Sequence, residues 1–263
     1  MRMSILRTGA AMLARELHVL RRNLLQFAVN TGMQPLLAVF VFTYVLPKIG
    51  VMRGAQGFGT ILVPGLVAST TVLTAIAVVS TSLMRELSFG RAIEDRMLAP
   101  LPVWGLGVQK IVWGALHAFL AGLVVFLVVY FVHEPGMRPS VHVANWPLLV
   151  SCLVFIPLMA ASVGLLVGTI LEPSQVSVFI NLAMIPATML GCVYFPWAAL
   201  RAIPWLQVGV LINPVVYASE ALRAVFTPDL PHMPVAVVLS VLVAATAGVG
   251  WLAIRSFQRR LLG

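Results

Sequence analysis

Charge is scarce in this chain. Only 10% of its 263 residues are Asp, Glu, Lys or Arg, 60% are apolar, and the mean hydropathy is +1.01. A soluble domain carries about a quarter charged residues, so a soluble globular protein is excluded. Cysteine is nearly absent. Cys152 and Cys192 both lie inside apolar runs, and they form no CxxC and no zinc-type spacing, so neither a disulfide framework nor a metal site is indicated. Acids are fewest, eight against seventeen bases, for a net charge of +9. The bases sit in short patches beside apolar blocks, as they do in a membrane protein, and a nucleic-acid partner is not indicated. Reactive motifs are missing too. No HExxH, no GxSxG elbow and no carboxylate cluster occurs, and five histidines, His117 among them, show no paired ligand spacing. Without a GxxxxGK[ST] loop the chain does not hold ATP in that manner by itself. The apolar blocks bury almost no Asp, Glu or Lys, which a proton-coupled carrier would need. If the protein transports, the energy comes from elsewhere.

What is present is long hydrophobic runs. Six blocks, at residues 24–46, 60–83, 104–132, 147–171, 176–195 and 235–254, each have the length to cross about 30 Å of hydrocarbon as a helix. Before them, residues 4–22 place Leu6, Ala10, Leu13, Leu17 and Leu20 at helical spacing, with Arg7, Arg15, His18 and Arg22 on another side. That pattern predicts an amphipathic helix in the interfacial plane and not a signal peptide. With the N-terminus cytoplasmic, twelve Lys and Arg fall on that side and five on the other. The positive-inside rule then puts both termini in the cytoplasm. The expected fold is a single all-α integral membrane domain of six spans covering residues 1–263.

Two segments carry more specific information. The connection between the second and third blocks, Met84 to Pro102, mixes both charge signs with apolar anchors at Leu87, Ile93, Met97 and Leu98. Pro100 and Pro102 stop it before the next span, so it reads as a stiff amphipathic helix fit for a soluble partner to grip. The second segment runs from Gly191 through Phe195-Pro196-Trp197 and Ile203-Pro204-Trp205 to Asn213-Pro214-Val215-Val216-Tyr217-Ala218-Ser219-Glu220-Ala221-Leu222-Arg223. It is too broken by proline for a plain span and too apolar for a free loop. Short re-entrant helices satisfy both constraints. Glu220 and Arg223, three apart, can neutralise each other on one helix face, as a structural pair.

The Arg-x-x-Glu-Asp-Arg-Met-Leu run at Arg91 to Leu98, the following Pro-Leu-Pro and Lys110 at the head of the next span resemble the permeases of ABC type 2 exporters. The Asn-Pro-x-x-Tyr-x-x-acid-Ala-x-Arg run at 213–223 is similar to theirs as well. The likeness is nearest to the drug and lipo-oligosaccharide export branch. The resemblance implies a non-catalytic permease working as a dimer with an identical or sister permease. It implies two separate cytoplasmic ATPase subunits that hold ATP and Mg, this chain carrying no cofactor, in the plasma (inner) membrane. The segment 85–103 would be the coupling helix seated on the ATPase. Glu86, Arg91, Glu94 and Arg96 would form its charged rim, with Leu98 and Pro100 giving its shape, and the turn Glu172-Pro173-Ser174-Gln175 would be a second contact. Substrate would pass along spans one, two and five. Asn30, Gln34, Ser69, Thr70, Thr71, Thr74, Ser80 and Asn181 are the candidates for its path. Uncharged hydroxyls and amides suit an amphipathic or lipid-linked cargo, although such residues also stitch membrane helices together. An ion-coupled carrier or a channel is the alternative function.

Overall fold

The computed structural model describes residues 13–49, 58–88, 102–131, 143 and 145–262. Every regular element among them is helical: α1 (13–22), α2 (Leu24–Val39), α3 (Phe58–Ser88), α4 (Val103–Phe131), α5 (Trp146–Ile170), α6 (Pro173–Met189), α7 (Pro204–Gly209), α8 (Pro214–Phe226) and α9 (Val235–Leu262). Among the described residues, five stretches are long and apolar enough to cross a membrane: Leu24–Phe42, Thr60–Ser88, Val103–Val129, Trp146–Ile170 and Val235–Leu261. A sixth is available if Pro204–Ile212 and Pro214–Phe226, bent by 100° at Asn213, count as one broken span.

The block expected at 176–195 differs from the structure. Helix α6 starts earlier, at Pro173, and ends after 17 residues at Met189. The early start follows from its cap, in which Glu172 and Gln175 form a capping box with Pro173 at the first helical position. The early end follows from Pro186, which cannot donate within the last turn. Residues 190–196 leave the helix. The second block also runs on to Ser88 and the last to Leu262, because membrane helices continue past the hydrocarbon where their polar ends meet headgroups. The first block ends in a π-helical turn, Phe40–Val45, followed by Leu46–Lys48.

Helix α3 is the axis of the bundle. It packs against α2, α4, α5, α6 and α8, and 61% of its apolar window is buried, against 17% for α2 and 22% for α9. Leu62, Ala68, Val72, Ala75 and Leu83 are wholly enclosed. Tails of lipid are as apolar as leucine, so burial against hydrocarbon does not drive this packing, and close fit between helices must. The fit comes from Gly164 and Gly168 on α5, four residues apart. A Cβ at Gly164 would stand 2.9 Å from both Cα and the carbonyl oxygen of Ile76, and one at Gly168 would stand 3.2 Å from Cα of Ser80. Helix α9 packs behind α5, against α4, α5 and α8. It is tied at one end by Arg260, whose Nη1 donates to the carbonyls of Gly168, Thr169 and Leu171 at 3.1, 2.6 and 2.8 Å. A guanidinium there satisfies the last carbonyls of α5 and complements its dipole.

Gly164→Leu forces backbone apart and is expected to cost about 1–3 kcal/mol, the usual range for overpacking. Gly248→Ala on α9, where an added Cβ meets nothing within 4 Å, is expected to be neutral or slightly stabilising. Thermal unfolding of both variants in detergent checks the pair.

Candidate functional site

The polar chemistry of the bundle gathers at one knot. Glu220 and Arg223 on α8 are both fully buried and form an ion pair. Glu220 also accepts from the backbone N–H of Trp197 at 2.9 Å on Oε1 and of Met233 at 2.8 Å on Oε2. Arg223 Nη2 donates to the carbonyl of Cys192 at 2.9 Å. Ser219, directly before Glu220 in sequence, donates to the carbonyl of Gly191 at 2.6 Å. Asn213 caps α8, its Oδ1 accepting from Val215 N–H at 3.0 Å, while its Nδ2 donates to the carbonyl of Ala187 at 2.8 Å. Trp197 Nε1 donates to the carbonyl of Gln207 at 3.0 Å.

These bonds do what a helix ladder cannot. Residues 187–213 break the helix repeatedly, and each break frees backbone groups that hydrocarbon cannot solvate. Side chains from one short helix take up the freed groups at 187, 191, 192, 197 and 233. Cys192 has a left-handed backbone, φ 53°, unfavourable for a side-chain-bearing residue, and its carbonyl is held by Arg223. The turn it makes lays Val193 against Gly65 of α3, where any Cβ would collide with the Val193 backbone.

The second feature is an uncovered polar face. Helices α2 and α6 flank α3, and beyond their ends Phe42 meets Tyr194 with ring centroids 5.3 Å apart. Helix α6 buries only Val176 and Thr188 of its seventeen residues. Asn30 and Gln34 on α2 and Asn181 on α6 are exposed. Along α3, at about 100° per residue, Thr70 and Thr74 fall on or near the side of Met84, which meets Ser177 of α6. Both are half-buried.

The other hydroxyls point elsewhere. Ser69 and Ser80 share the stripe of α3 that packs on Gly164 and Gly168, while Thr71 abuts Gly122 of α4. All three are buried, and they donate back to the carbonyls of Leu66, Ile76 and Val67. The candidate path residues differ in exposure. Asn30, Gln34 and Asn181 are exposed and Thr70 and Thr74 half-buried, while Ser69, Thr71 and Ser80 are buried between helices.

A family model described as ABC-2 type transporter matches residues 9–227. The chain belongs to the ABC-2 type transporter family. It is thus the membrane domain of a transporter, a multi-pass permease of a kind that is generally non-catalytic, and the family works with an ABC ATPase. A search for individual curated relatives returns no match. Among the described residues no three His, Cys, Asp or Glu side chains stand together as a metal would require.

In this ABC-2 permease the rest of the expected coupling surface, Arg91, Glu94, Arg96, Leu98 and Pro100, lies outside the described residues. Glu86 is described, and it is not a free rim charge. It still belongs to α3, its side chain is 11% exposed, and it pairs with Lys110 of α4 at 2.6 Å. A charge this enclosed takes an internal partner because desolvation penalises it otherwise. The pair fastens together the two helices from which the coupling segment springs. The turn at Glu172–Gln175 sits beside the carbonyls that Arg260 holds. Sequence reasoning missed Ser219 and Arg260, which touch the backbone of segments far away in sequence. Asn213 carried a readable signal, an N-cap residue directly before proline.

Arg223→Met leaves the Glu220 carboxylate buried without its countercharge, and about 3–5 kcal/mol of stability should be lost. Replacing both, Glu220→Gln with Arg223→Met, should recover part of that loss, since an uncompensated charge no longer remains. Unfolding of the two variants in mild detergent, compared with the unsubstituted chain, reads the difference.

Proposed function

We propose that the protein is the permease subunit of an ATP-driven exporter that moves an amphipathic or lipid-linked substrate out of the cytoplasm or inner leaflet. The observation that carries this reading is the family match over residues 9–227 in a chain with no nucleotide-binding loop of its own. Energy must then arrive from a separate ATPase, in two copies that hold ATP and Mg, at the charged segment between α3 and α4. The ion pair of Glu86 and Lys110 makes that junction stiff, so force applied to the segment would reach α3, the helix against which α2, α4, α5, α6 and α8 pack. Coupling by such a route needs a permease with two packings of similar energy. In this reading Arg91, Glu94 and Arg96 meet the ATPase, Leu98 and Pro100 shape the contact, and the α1 helix lies along the same partner. Both termini are cytoplasmic, and the membrane is the plasma (inner) membrane.

The cargo route follows from the uncovered face. Asn30, Gln34, Thr70, Thr74 and Asn181 provide hydrogen-bonding groups without charge on helices that are little covered among the described residues. A second permease, identical or a sister, would complete it, and substrate would pass between the two. The re-entrant reading of the bent pair at Asn213 fits a plug at the far end of that route, held by the Glu220–Arg223 knot.

Purification from the native host in mild detergent tests the central step. A stoichiometric ATPase subunit should accompany the chain. It should be lost when Arg91→Glu, Glu94→Arg and Arg96→Glu are combined. A chain that emerges alone under conditions that preserve other complexes contradicts the exporter reading and favours an ion-coupled carrier.

A further inference from the structure

Helices α3, α4, α5 and α8, with Val143, surround a cavity of about 280 Å³ to which neither α2 nor α6 contributes a described residue. It is not closed. Leu123 of α4 and Leu153 of α5 both line it and are 47% and 38% exposed, whereas Val67 and Thr71 of α3 and Leu222 and Phe226 of α8 are buried. The cavity therefore opens between α4 and α5 and backs onto α3 and α8. Phe126 and Phe226, with ring centroids 5.5 Å apart, form part of its wall.

The place of the opening decides what reaches it. Both helices beside it are long and apolar enough to span a membrane. Leu123 lies six residues inside the Val129 end of its apolar stretch, and Leu153 seven inside the Trp146 end. That is about 10 Å along each helix, so the opening faces lipid tails and not headgroups.

The wall decides what stays. Among the lining residues only Thr71 and Cys152 carry polar side-chain atoms, and none carries a charge. Thr71 Oγ1 donates back to the carbonyl of Val67 at 2.7 Å, and a thiol is a weak donor. A headgroup or a soluble ligand would give up hydrogen bonds here and regain none. A hydrocarbon chain gives up none. Lipid tails are as apolar as this wall, so the hydrophobic effect does not drive the transfer. Contact does, because the walls of an unfilled void forgo dispersion attraction that a chain restores.

We propose that this cavity holds part of one acyl chain of a bilayer phospholipid, which enters between α4 and α5. The headgroup stays at the surface and the other chain in the bilayer. Leu222 and Phe226 stand one turn apart on α8, the helix of Glu220 and Arg223, so the chain packs the helix of the buried ion pair against hydrocarbon. The site is separate from the α2 and α6 face assigned to cargo. It rests on the membrane placement of the bundle and not on the identity of the ATPase or the cargo.

Photolabelling in lipid nanodiscs tests this, with phosphatidylcholine carrying a diazirine in the middle of one acyl chain and adducts mapped by mass spectrometry. Lipid around the protein labels exposed positions such as Val243 and Leu252 on α9. Only a chain inside the cavity reaches Cys152, Ile156 and Leu222, which are at most 3% exposed. Adducts are expected at these three and not at Leu165 or Leu242, which are buried elsewhere. Leu123→Trp and Leu153→Trp each put a larger ring at the opening and should lower the three adducts about tenfold, as overpacking a filled space does. Labelling at Val243 should not change. Adducts at Val243 with none at Cys152, Ile156 and Leu222 overturn the proposal, and so does equal labelling at Leu165 and Leu242. Cavity adducts that persist in both variants overturn it as well. Loss of the cavity adducts to an equimolar amount of oleic acid would mean that free fatty acid is preferred, and this also overturns the assignment to bilayer lipid. The unsubstituted chain alone decides three of these outcomes, so a variant that fails to fold does not remove the test. None of them needs transport or an ATPase, so failure here leaves the exporter reading standing.

Discussion

The buried ion pair between Glu220 and Arg223 is the constraint on which the far half of the molecule depends. Two full charges out of water are costly, and attraction between them does not by itself repay that cost. What repays it is the remaining valence. The two oxygens of Glu220 take backbone N–H groups from 197 and 233, and Arg223 takes the carbonyl of 192. A chain with this little charge places two of its few ionised groups where backbone would otherwise go unsatisfied. The broken segment after α6 can then sit at membrane depth, pressed on Gly65 of α3. Removing one partner would release several chain segments at once.

At the other end a second internal pair, Glu86 with Lys110, plays a comparable part. It fixes the roots of the connection between α3 and α4, and Arg260 fixes α9 to the end of α5 close by. Between these fastened ends the helices meet through glycine and alanine, so α3 has little freedom to shift except as a body. A force delivered at the root of α3 is therefore transmitted along its length. The long helices α2 and α6, which bury few of their residues, are left with exposed amides, a costly arrangement in lipid alone and a reasonable one beside a second subunit.

Much of the fold could be read from the sequence because long apolar runs leave few choices: the third and fourth blocks fall within a residue of α4 and α5. The errors come from local chemistry. Pro173 and the Glu172/Gln175 capping box start α6 early, and Pro186 ends it before the apolar run does. Glu220 and Arg223 were legible as neighbours on a helix, since that depends only on spacing. Their bonds to 192, 197 and 233 were not, since those depend on a tertiary turn with a left-handed residue at Cys192. The hydroxyls of α3 show the same division. Sequence assigns Ser69 and Thr70 alike, and only the neighbours of each face separate packing from an open wall. Glu86 read as part of the charged rim, and its pairing with Lys110 was not legible because that partner lies in the next helix.

The proposal that α2 and α6 form the face covered by a second permease is open to direct test. Single cysteines placed in turn at Asn30, Gln34, Val178, Asn181 and Ile185, all exposed, test it by oxidative cross-linking in native membranes. The native Cys152 and Cys192 are wholly buried and should stay silent. With an identical partner, a product near twice the 28.4 kDa of the chain is expected from positions on α2 and α6, and none from Val237, Val243 or Leu252 on α9. With a sister permease, the same α2 and α6 positions carrying a photo-crosslinker should give a heteromeric product instead. Cross-links from α9 alone, or monomer at every position, would contradict it.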